Sequence, residues 1–246
     1  MLSCGGCKPL SYMHVAIKKF NRASVTKANI VSFNIKGPQR FEAAKGLLAS
    51  EYEITIDRMA YFTFINVKLK NKKNAIVVKT KIGIEIWSDV ESIKYLWLYM
   101  LEQPRKYMPC GWDVLNIYRM ECNDINFLLY PLDINHKTTL SGINCEWMIG
   151  NKKENYVGRK AIESSKVSNK LSLIKIKTLL PLETGSSHNM EKIYSKEGNY
   201  CGYITSSSFS PRKNCNLAFA HIYNKYKGLK YFYTSGHDTC YVHYKC

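Results

Sequence analysis

Alternating apolar and polar residues predict a small antiparallel sheet in the first half of the chain. The alternation runs through residues 28–35 and returns in two longer stretches, 61–69 and 76–87. The turn-forming residues Asn71-Lys-Lys-Asn74 lie between the two longer stretches. We therefore expect each longer stretch to form one strand and the two to pair as a hairpin.

Apolar residues at helical spacing predict three helices around this sheet. The first follows the break at Lys36-Gly-Pro38 and runs from Phe41 to Leu48. The second begins after Ser88-Asp89, either of which can cap a helix, and ends by Pro104. The third spans residues 111–122, where apolar side chains share one side of the predicted helix.

The last third of the chain has a different pattern, with short strands separated by Gly, Ser and Pro. A polar stretch at 151–170 precedes it and is the predicted domain boundary. Five strands are predicted, at residues 171–178, 202–206, 216–223, 229–234 and 239–244. This spacing favours a small antiparallel barrel or sandwich. We therefore predict an α+β protein divided into an irregular or targeting segment 1–27, a domain 28–165 and a C-terminal β-barrel 166–246.

Composition identifies a folded, basic protein. The 246 residues are 46% hydrophobic and carry a net charge of +17, which excludes a disordered chain. Apolar runs stay shorter than the roughly 18–20 residues that span a bilayer, so we predict no membrane contact. Lys outnumbers Arg 29 to 7, as AT-rich coding also produces, whereas phosphate and guanine recognition favours Arg. We therefore do not expect nucleic acid as a partner.

The nine cysteines are scattered and odd in number, which favours free thiols and a protein that is not secreted. Cys4-Gly-Gly-Cys7 has the spacing of a redox or metal pair, but no second pair lies near it in sequence. His237, Cys240, His243 and Cys246 repeat at threes and would gather zinc ligands on a helix. The residues between them favour a strand, which places His237 and Cys240 on opposite faces. No metal is predicted.

One chemical candidate lies on the third predicted helix, in Tyr118-Arg-Met-Glu121. A half-buried carboxylate there can accept hydrogen bonds from an amide-and-amine edge such as that of a pterin or purine. The alternative is an ordinary surface pair between Arg119 and Glu121. No catalytic residue can be named from the residues alone.

The order of several short motifs resembles the aminomethyltransferase family, the T-protein of glycine cleavage. The likeness is greatest to the C-terminal folate-binding part of sarcosine and dimethylglycine dehydrogenases and to the regulatory subunit of pyruvate dehydrogenase phosphatase. The matching motifs are Ile35-Lys-Gly-Pro38, Gly83-Ile-Glu85-Ile, Arg119-Met-Glu121, Asp133-Ile-Asn-His-Lys-Thr-Thr139, Tyr156-Val-Gly-Arg-Lys-Ala-Ile162, the stretch from Gly198 to Pro211, and Leu217-Ala-Phe-Ala-His-Ile222.

This resemblance implies a tetrahydrofolate-binding fold, incomplete on its N-terminal side and followed by the C-terminal barrel. It implies that the Glu121 carboxylate holds the pterin ring and that Arg119 supports it. Departures from the family pattern include Leu140, Gly142, Asn123 and the residue near His188, where the family has an arginine. The family's reactive aspartate belongs to a region before the Gly37-Pro38 turn that this chain does not match.

The resemblance therefore implies that the fold is retained, whereas activity would need the aspartate that the matched region lacks. The expected function is a tetrahydrofolate-binding aminomethyltransferase-like protein of glycine, sarcosine or dimethylglycine metabolism, as a fragment or divergent copy without the catalytic aspartate. A partner chain would then supply the amine donor or the missing segment. If active, the protein would be a folate-dependent aminomethyltransferase or the folate domain of a demethylating dehydrogenase. Alternatives are a non-catalytic regulatory or scaffolding protein of this fold and a basic RNA-binding protein. The expected compartment is the mitochondrial matrix or cytoplasm.

Overall fold

The computed structural model describes residues 13–18, 23–103, 106–122, 127–149, 156–168, 171–179, 191–234 and 239–242. The chain divides into two compact units, Met1–Tyr107 and Met108–Cys246, called unit 1 and unit 2 below. This division falls inside the segment 28–165, and the sequence-based boundaries after residues 27 and 165 stay predictions. Within the described ranges, no helix combines the length and apolar character needed to cross a membrane.

Unit 1 contains a four-stranded antiparallel sheet. Its strands are β1 (Val31–Ile35), β2 (Thr63–Lys68), β3 (Asn74–Thr80) and β4 (Gly83–Ser88), arranged in the order β1-β4-β3-β2. The hairpin of β2 and β3 confirms the predicted pairing. The prediction of one strand over residues 76–87 is wrong, because the chain reverses at Lys81-Ile82 and forms a second hairpin there.

The missed reversal depends on Gly83. The Thr80 hydroxyl donates a hydrogen bond to the Gly83 carbonyl oxygen at 2.9 Å and closes the turn. A Cβ atom on Gly83 would lie only 2.6 Å from the carbonyl oxygen of Ile35 on β1. The turn has no Pro, Asn or Asp, so the unbroken alternation of the sequence concealed it.

Three helices cover the sheet of unit 1: α1 (Arg40–Lys45), α2 (Glu53–Arg58) and α3 (Val90–Leu101). Helix α1 ends before Leu47 and is therefore shorter than predicted. Helix α3 confirms its prediction, with the Asp89 carboxylate accepting a hydrogen bond from the Ser92 backbone N–H at 2.9 Å. The core between helices and sheet contains Phe33, Ile35, Ala43, Ala44, Leu47, Leu48, Ile56, Val67, Leu69, Val77, Ile84, Ile86 and Leu96.

Unit 2 is built around a closed barrel. Its strands are β5 (Leu171–Thr178), β6 (Lys192–Tyr194), β7 (Tyr200–Ser210), β8 (Cys215–Tyr223), β9 (Tyr231–Thr234) and β10 (Thr239–Val242), closed in the order β10-β5-β8-β7-β6-β9. The predicted α+β class and C-terminal antiparallel barrel are confirmed. Strand β6 was missed because three residues are too few to show a period.

Two helices precede the barrel in sequence: α4 (Trp112–Glu121), which confirms the third predicted helix, and α5 (Arg159–Ser168) within the polar stretch. Helix α4 lies against the outer side of β7 and β8. Strand β8 is consequently buried on both faces, with Ala218, Ala220 and Ile222 in the barrel interior and Leu217 and Phe219 on the side of α4.

The cysteine and histidine residues that were considered as metal ligands lie mostly outside the described residues. Cys4 and Cys7, together with His237, His243 and Cys246, lie outside the described residues, as does His188. Cys240 is described, and its side chain is buried in the barrel interior. The described structure also has helical residues at 13–17 and four one-turn 3₁₀ segments, at Ser50–Tyr52, Ser141–Ile143, Glu146–Met148 and Asn224–Tyr226.

Candidate functional site

The candidate site lies where helix α4 ends on the barrel wall. Arg119 and Met120 turn toward the wall and are buried, whereas Glu121 is the last residue of the helix. The long Arg119 side chain is 0% exposed. A buried guanidinium must find hydrogen-bond acceptors and a counter-charge, and its partners therefore define the site.

Arg119 is paired with Asp133, whose side chain is also fully buried. The guanidinium Nη1 atom lies 2.7 Å from the carboxylate Oδ2 atom. Nε donates to the Asn116 side-chain oxygen at 2.8 Å, and Nη1 also donates to the Phe127 carbonyl oxygen at 3.1 Å. Burial lowers the pKa of Arg119, and the Asp133 carboxylate opposes that shift.

Asp133 connects the helix to strand β7. Its Oδ1 atom accepts hydrogen bonds from the Thr205 hydroxyl, at 2.7 Å, and from the Ser206 hydroxyl. Arg119 Nη2 donates to the same Ser206 oxygen at 2.9 Å. Asp133 Oδ2 accepts in addition from the Leu129 backbone N–H. Three separate motifs of the sequence therefore meet at one buried ion pair.

Strand β8 contributes His221 and Phe219 to the same region. His221 Nε2 lies 2.8 Å from the Asp133 carbonyl oxygen, and because a carbonyl only accepts, Nε2 must carry the hydrogen. Nδ1 is buried and finds no hydrogen-bond partner among the described residues. The Phe219 ring packs under two cations, with the Arg119 guanidinium 5.3 Å and Lys175 Nζ 5.1 Å from its centroid.

Glu121 presents its carboxylate at the edge of this network. Its side chain is 13% exposed, and Oε2 lies 3.0 Å from the Nε atom of Arg212, whose side chain is 71% exposed. Oε1 accepts a hydrogen bond from the Ser210 hydroxyl at 2.5 Å. The carboxylate is thus oriented by two partners and stays partly exposed.

The position of Glu121 is electrostatically unfavourable for the helix itself. A carboxylate at a helix C-terminus meets the negative end of the helix dipole. Lys175 offsets this by donating from Nζ to the carbonyl oxygen of Cys122, the residue that follows the helix. Ser210 and Arg212 offset it further at the carboxylate.

The structure corrects one reading of the Arg119-Met-Glu121 motif. The alternative of a surface pair between Arg119 and Glu121 is wrong, because Arg119 is buried against Asp133 and Glu121 pairs with Arg212. Sequence reasoning did not find Asp133, Ser206 or Ser210 as site residues. They stood inside the quoted motifs, but only the folded chain shows which of them touch.

The site and the fold define an α+β protein whose C-terminal unit is a closed antiparallel barrel carrying a buried Arg–Asp pair under a helix. No family model matches the chain. Its sequence is similar to curated aminomethyltransferases, at 24% identity over 220 residues to that of Xylella fastidiosa strain M12 and at 25% over 229 residues to that of Thermosipho melanesiensis. The resemblance to aminomethyltransferases is thereby confirmed, and the narrower likeness to sarcosine dehydrogenases stays a prediction.

The similar region covers most of this chain but only a little over half of each relative. The matches cover 87% and 89% of this chain but only 57% and 58% of the two relatives. The crystal structure of the glycine cleavage aminomethyltransferase T from Bartonella henselae aligns with 89% of this chain and 86% of its own, with 14% identity and a TM-score of 0.47. The comparison with known proteins therefore rests on the sequence similarity and not on this structural alignment.

Proposed function

We propose that this protein binds tetrahydrofolate through unit 2 and that the Glu121 carboxylate holds the pterin ring. The observation that carries the proposal is the placement of Glu121, oriented by Ser210 and Arg212 at the accessible edge of a buried network. The sequence similarity to aminomethyltransferases supports the choice of ligand.

The hydrogen-bonding capacity of Glu121 fits a pterin. A carboxylate has about four acceptor positions, and Ser210 and Arg212 occupy one on each oxygen. A pterin presents a ring N–H and an exocyclic amine side by side, so that both can donate to one carboxylate. The bound folate would supply a nucleophilic nitrogen that accepts a one-carbon unit, and the chain's own contribution is to bind and orient the ring.

Arg119 is a positioning residue in this proposal. Four of the five N–H donors of its guanidinium bond to Asp133, Asn116, Phe127 and Ser206, so it supports Glu121 by fixing the end of helix α4 on the barrel wall. The support that the resemblance implied is therefore proposed to act through the backbone of α4 rather than through a side-chain contact.

Turnover is a separate proposal from binding. The chain spans a little over half the length of the curated relatives that it matches. Transfer of a one-carbon unit needs a positioned acid beside the reacting nitrogen as well as the pterin site. We propose aminomethyl transfer, with glycine, sarcosine or dimethylglycine as the source of the unit, where a partner chain or a further segment supplies that acid. The proposed compartment is the mitochondrial matrix or the cytoplasm.

Equilibrium binding of tetrahydrofolate to the purified chain tests the proposal. Glu121→Gln keeps the shape of the side chain but removes one acceptor and the charge, and we expect about a tenfold to hundredfold weaker affinity. Ser210→Ala should cost less, because it only loosens the orientation of the carboxylate. Isothermal titration calorimetry under reducing conditions gives both values.

Glu163→Gln is the matched control, since that carboxylate forms an exposed pair with Arg159 on helix α5. It should bind folate like the wild type. Equal affinity in wild type and Glu121→Gln would refute the assigned role of Glu121. If the wild type fails to bind at millimolar folate, the non-catalytic alternative, a regulatory or scaffolding protein of the same fold, takes the place of this proposal.

A further inference from the structure

The outer wall of the barrel is covered on one side and open on another. Helix α4 and the network around Asp133 cover β8 and the second half of β7, and the 3₁₀ segment Ser141–Ile143 covers part of β5. The wall continues through the start of β7 and through β6, β9 and β10, where exposed residues recur. This second part of the wall borders the site described above at Tyr203, whose ring centroid lies 5.7 Å from that of His221, and otherwise lies outside that site.

Tyrosines dominate this open part of the wall. Cross-strand partners in a sheet point to the same face, and the pairs Tyr194↔Tyr200, Tyr194↔Tyr233 and Tyr231↔Tyr241 link four neighbouring strands. We call the set the tyrosine belt: Tyr194, Tyr200, Tyr203, Tyr223, Tyr231, Tyr233 and Tyr241. The opposite faces of these strands hold the barrel interior, including Ile193, Phe232 and Cys240.

Rings of the belt contact one another in two groups, Tyr194 with Tyr200 and Tyr223, and Tyr231 with Tyr233. The ring centroids of Tyr194 and Tyr200 are 6.0 Å apart, as are those of Tyr200 and Tyr223, and Tyr231 lies 5.9 Å from Tyr233. Tyr200, Tyr231 and Tyr241 are 40–50% exposed. Desolvation and neighbouring tyrosines raise the pKa of Tyr200, so its hydroxyl stays neutral at physiological pH.

Lysines surround the belt. In the described barrel segments, exposed cations far outnumber acidic residues, of which Glu191 and Glu197 are the two present. Lys192 pairs across the strands with Tyr203, and Lys177 pairs with Tyr241, so these cations stand beside the rings. The exposed lysines are Lys177, Lys192, Lys196, Lys225, Lys227 and Lys230.

We propose that the tyrosine belt and its lysines bind single-stranded RNA. Partly exposed rings on a barrel wall offer stacking surfaces for unpaired bases, and flanking lysines neutralise the phosphates. Tyrosine hydroxyls can donate to and accept from the ribose 2′-hydroxyl, which favours RNA over DNA. This inference rests on the placement of the tyrosines and lysines, whereas the excess of Lys over Arg in the composition predicted no nucleic-acid partner.

Fluorescence anisotropy with a labelled single-stranded RNA of about 15 nucleotides, titrated with the full chain at about 50 mM salt, tests the proposal. We expect Tyr231→Ala and Tyr241→Ala each to weaken binding about fivefold to a hundredfold. Tyr231→Phe keeps the ring and should retain most of the affinity. Lys192→Gln should weaken binding and reduce the logarithmic salt slope by about 0.7.

Matched controls separate the belt from general charge and from the folate proposal. Tyr95→Ala removes a tyrosine of similar exposure on helix α3, and Lys160→Gln removes an exposed lysine on α5, so both should bind RNA like the wild type. Glu121→Gln should also leave RNA binding unchanged, because Glu121 does not belong to the belt.

Four results would overturn the inference. They are the absence of RNA binding at low salt, equal losses in Tyr95→Ala and Tyr231→Ala, duplex RNA bound as tightly as the single strand, and single-stranded DNA of the same sequence bound as tightly as RNA. Circular dichroism of each variant confirms that a loss of binding is not a loss of folding.

Discussion

Asp133 is the residue at which the elements of unit 2 meet. Its carboxylate and its carbonyl oxygen together receive hydrogen bonds from helix α4, strand β7 and strand β8. A buried charge pair of this kind adds little net stability compared with an apolar pair, but losing one partner leaves the other charge uncompensated. The pair therefore specifies how α4 docks on the wall more than it adds stability.

This balance gives a prediction for the ion pair. Asp133→Asn should lower the free energy of unfolding by about 3–5 kcal/mol, because Arg119 then stays buried without a counter-charge. Arg119→Met should also be destabilising, because Asp133 then stays buried without a counter-charge. The double variant should be more stable than the sum of the two single changes implies. Urea unfolding of the full chain measures all three, and strict additivity would contradict the coupling.

Two glycines of the motif from Gly198 to Pro211 are required by the local backbone and by packing. Gly198 has a φ angle of +78° in the turn between β6 and β7, a conformation that favours glycine. A Cβ on Gly202 would lie 2.0 Å from the His221 carbonyl oxygen on β8. The Gly-x-x-x-Gly spacing thus combines a turn requirement with a close approach of two strands.

Helix α3 shows how an element can be stabilised by one side chain at its start. The Asp89 carboxylate accepts from both the backbone N–H and the hydroxyl of Ser92, at 2.9 and 2.7 Å. The backbone hydrogen bond from Ser92 is the main cause that lowers the pKa of Asp89 below its ordinary value of 3.8. The charged form is therefore the one that caps the helix.

The lowered pKa predicts how the cap responds to pH. A group whose folded pKa is depressed contributes stability above its unfolded pKa and loses it as pH falls through the folded value. The stability difference between wild type and Asp89→Asn should therefore be constant near pH 6 and shrink below about pH 4. Urea midpoints of both proteins at matched pH test this, because subtraction removes the other carboxylates. A constant difference down to about pH 2 would contradict it.

At the scale of the whole molecule, charge is the dominant feature. The chain carries a net charge of +17 with a sequence pI near 9.4, and self-repulsion of this size opposes compaction. The ion pairs of the described residues, such as Lys45 with Asp57 and Arg159 with Glu163, engage only a few of the cations. Most described lysine side chains are exposed to solvent, where dissolved salt can screen their charges.

Salt should therefore stabilise the folded chain. Raising NaCl from about 0.05 to about 0.5 M shortens the screening length from roughly 13 to roughly 4 Å, so the urea midpoint should rise. An equal osmolality of sucrose is the control for solute exclusion. A midpoint that falls with NaCl would show that attractive surface pairs outweigh the net repulsion.

Much of the architecture could be predicted from the pattern of residues. Strand β5 and helix α3 were predicted at or close to their observed bounds, because long periodic runs with clear caps carry strong local information. The reversal at Lys81-Ile82 and the short strand β6 were missed, since the first keeps the alternation and the second is too short to show it.

The candidate site, too, could be predicted only in part from the sequence. The sequence by itself determined the amphipathic helix that carries Arg119 and Glu121, five of the six barrel strands and the basic charge, because periodicity and composition are local properties. Only the tertiary structure decided that Arg119 is buried against Asp133, that Ser210 orients Glu121, and that tyrosines from five strands share one surface. Arg119 and Asp133 are 14 positions apart and Glu121 and Ser210 are 89 positions apart, so no local pattern shows these contacts, which form only when α4 packs on the closed barrel.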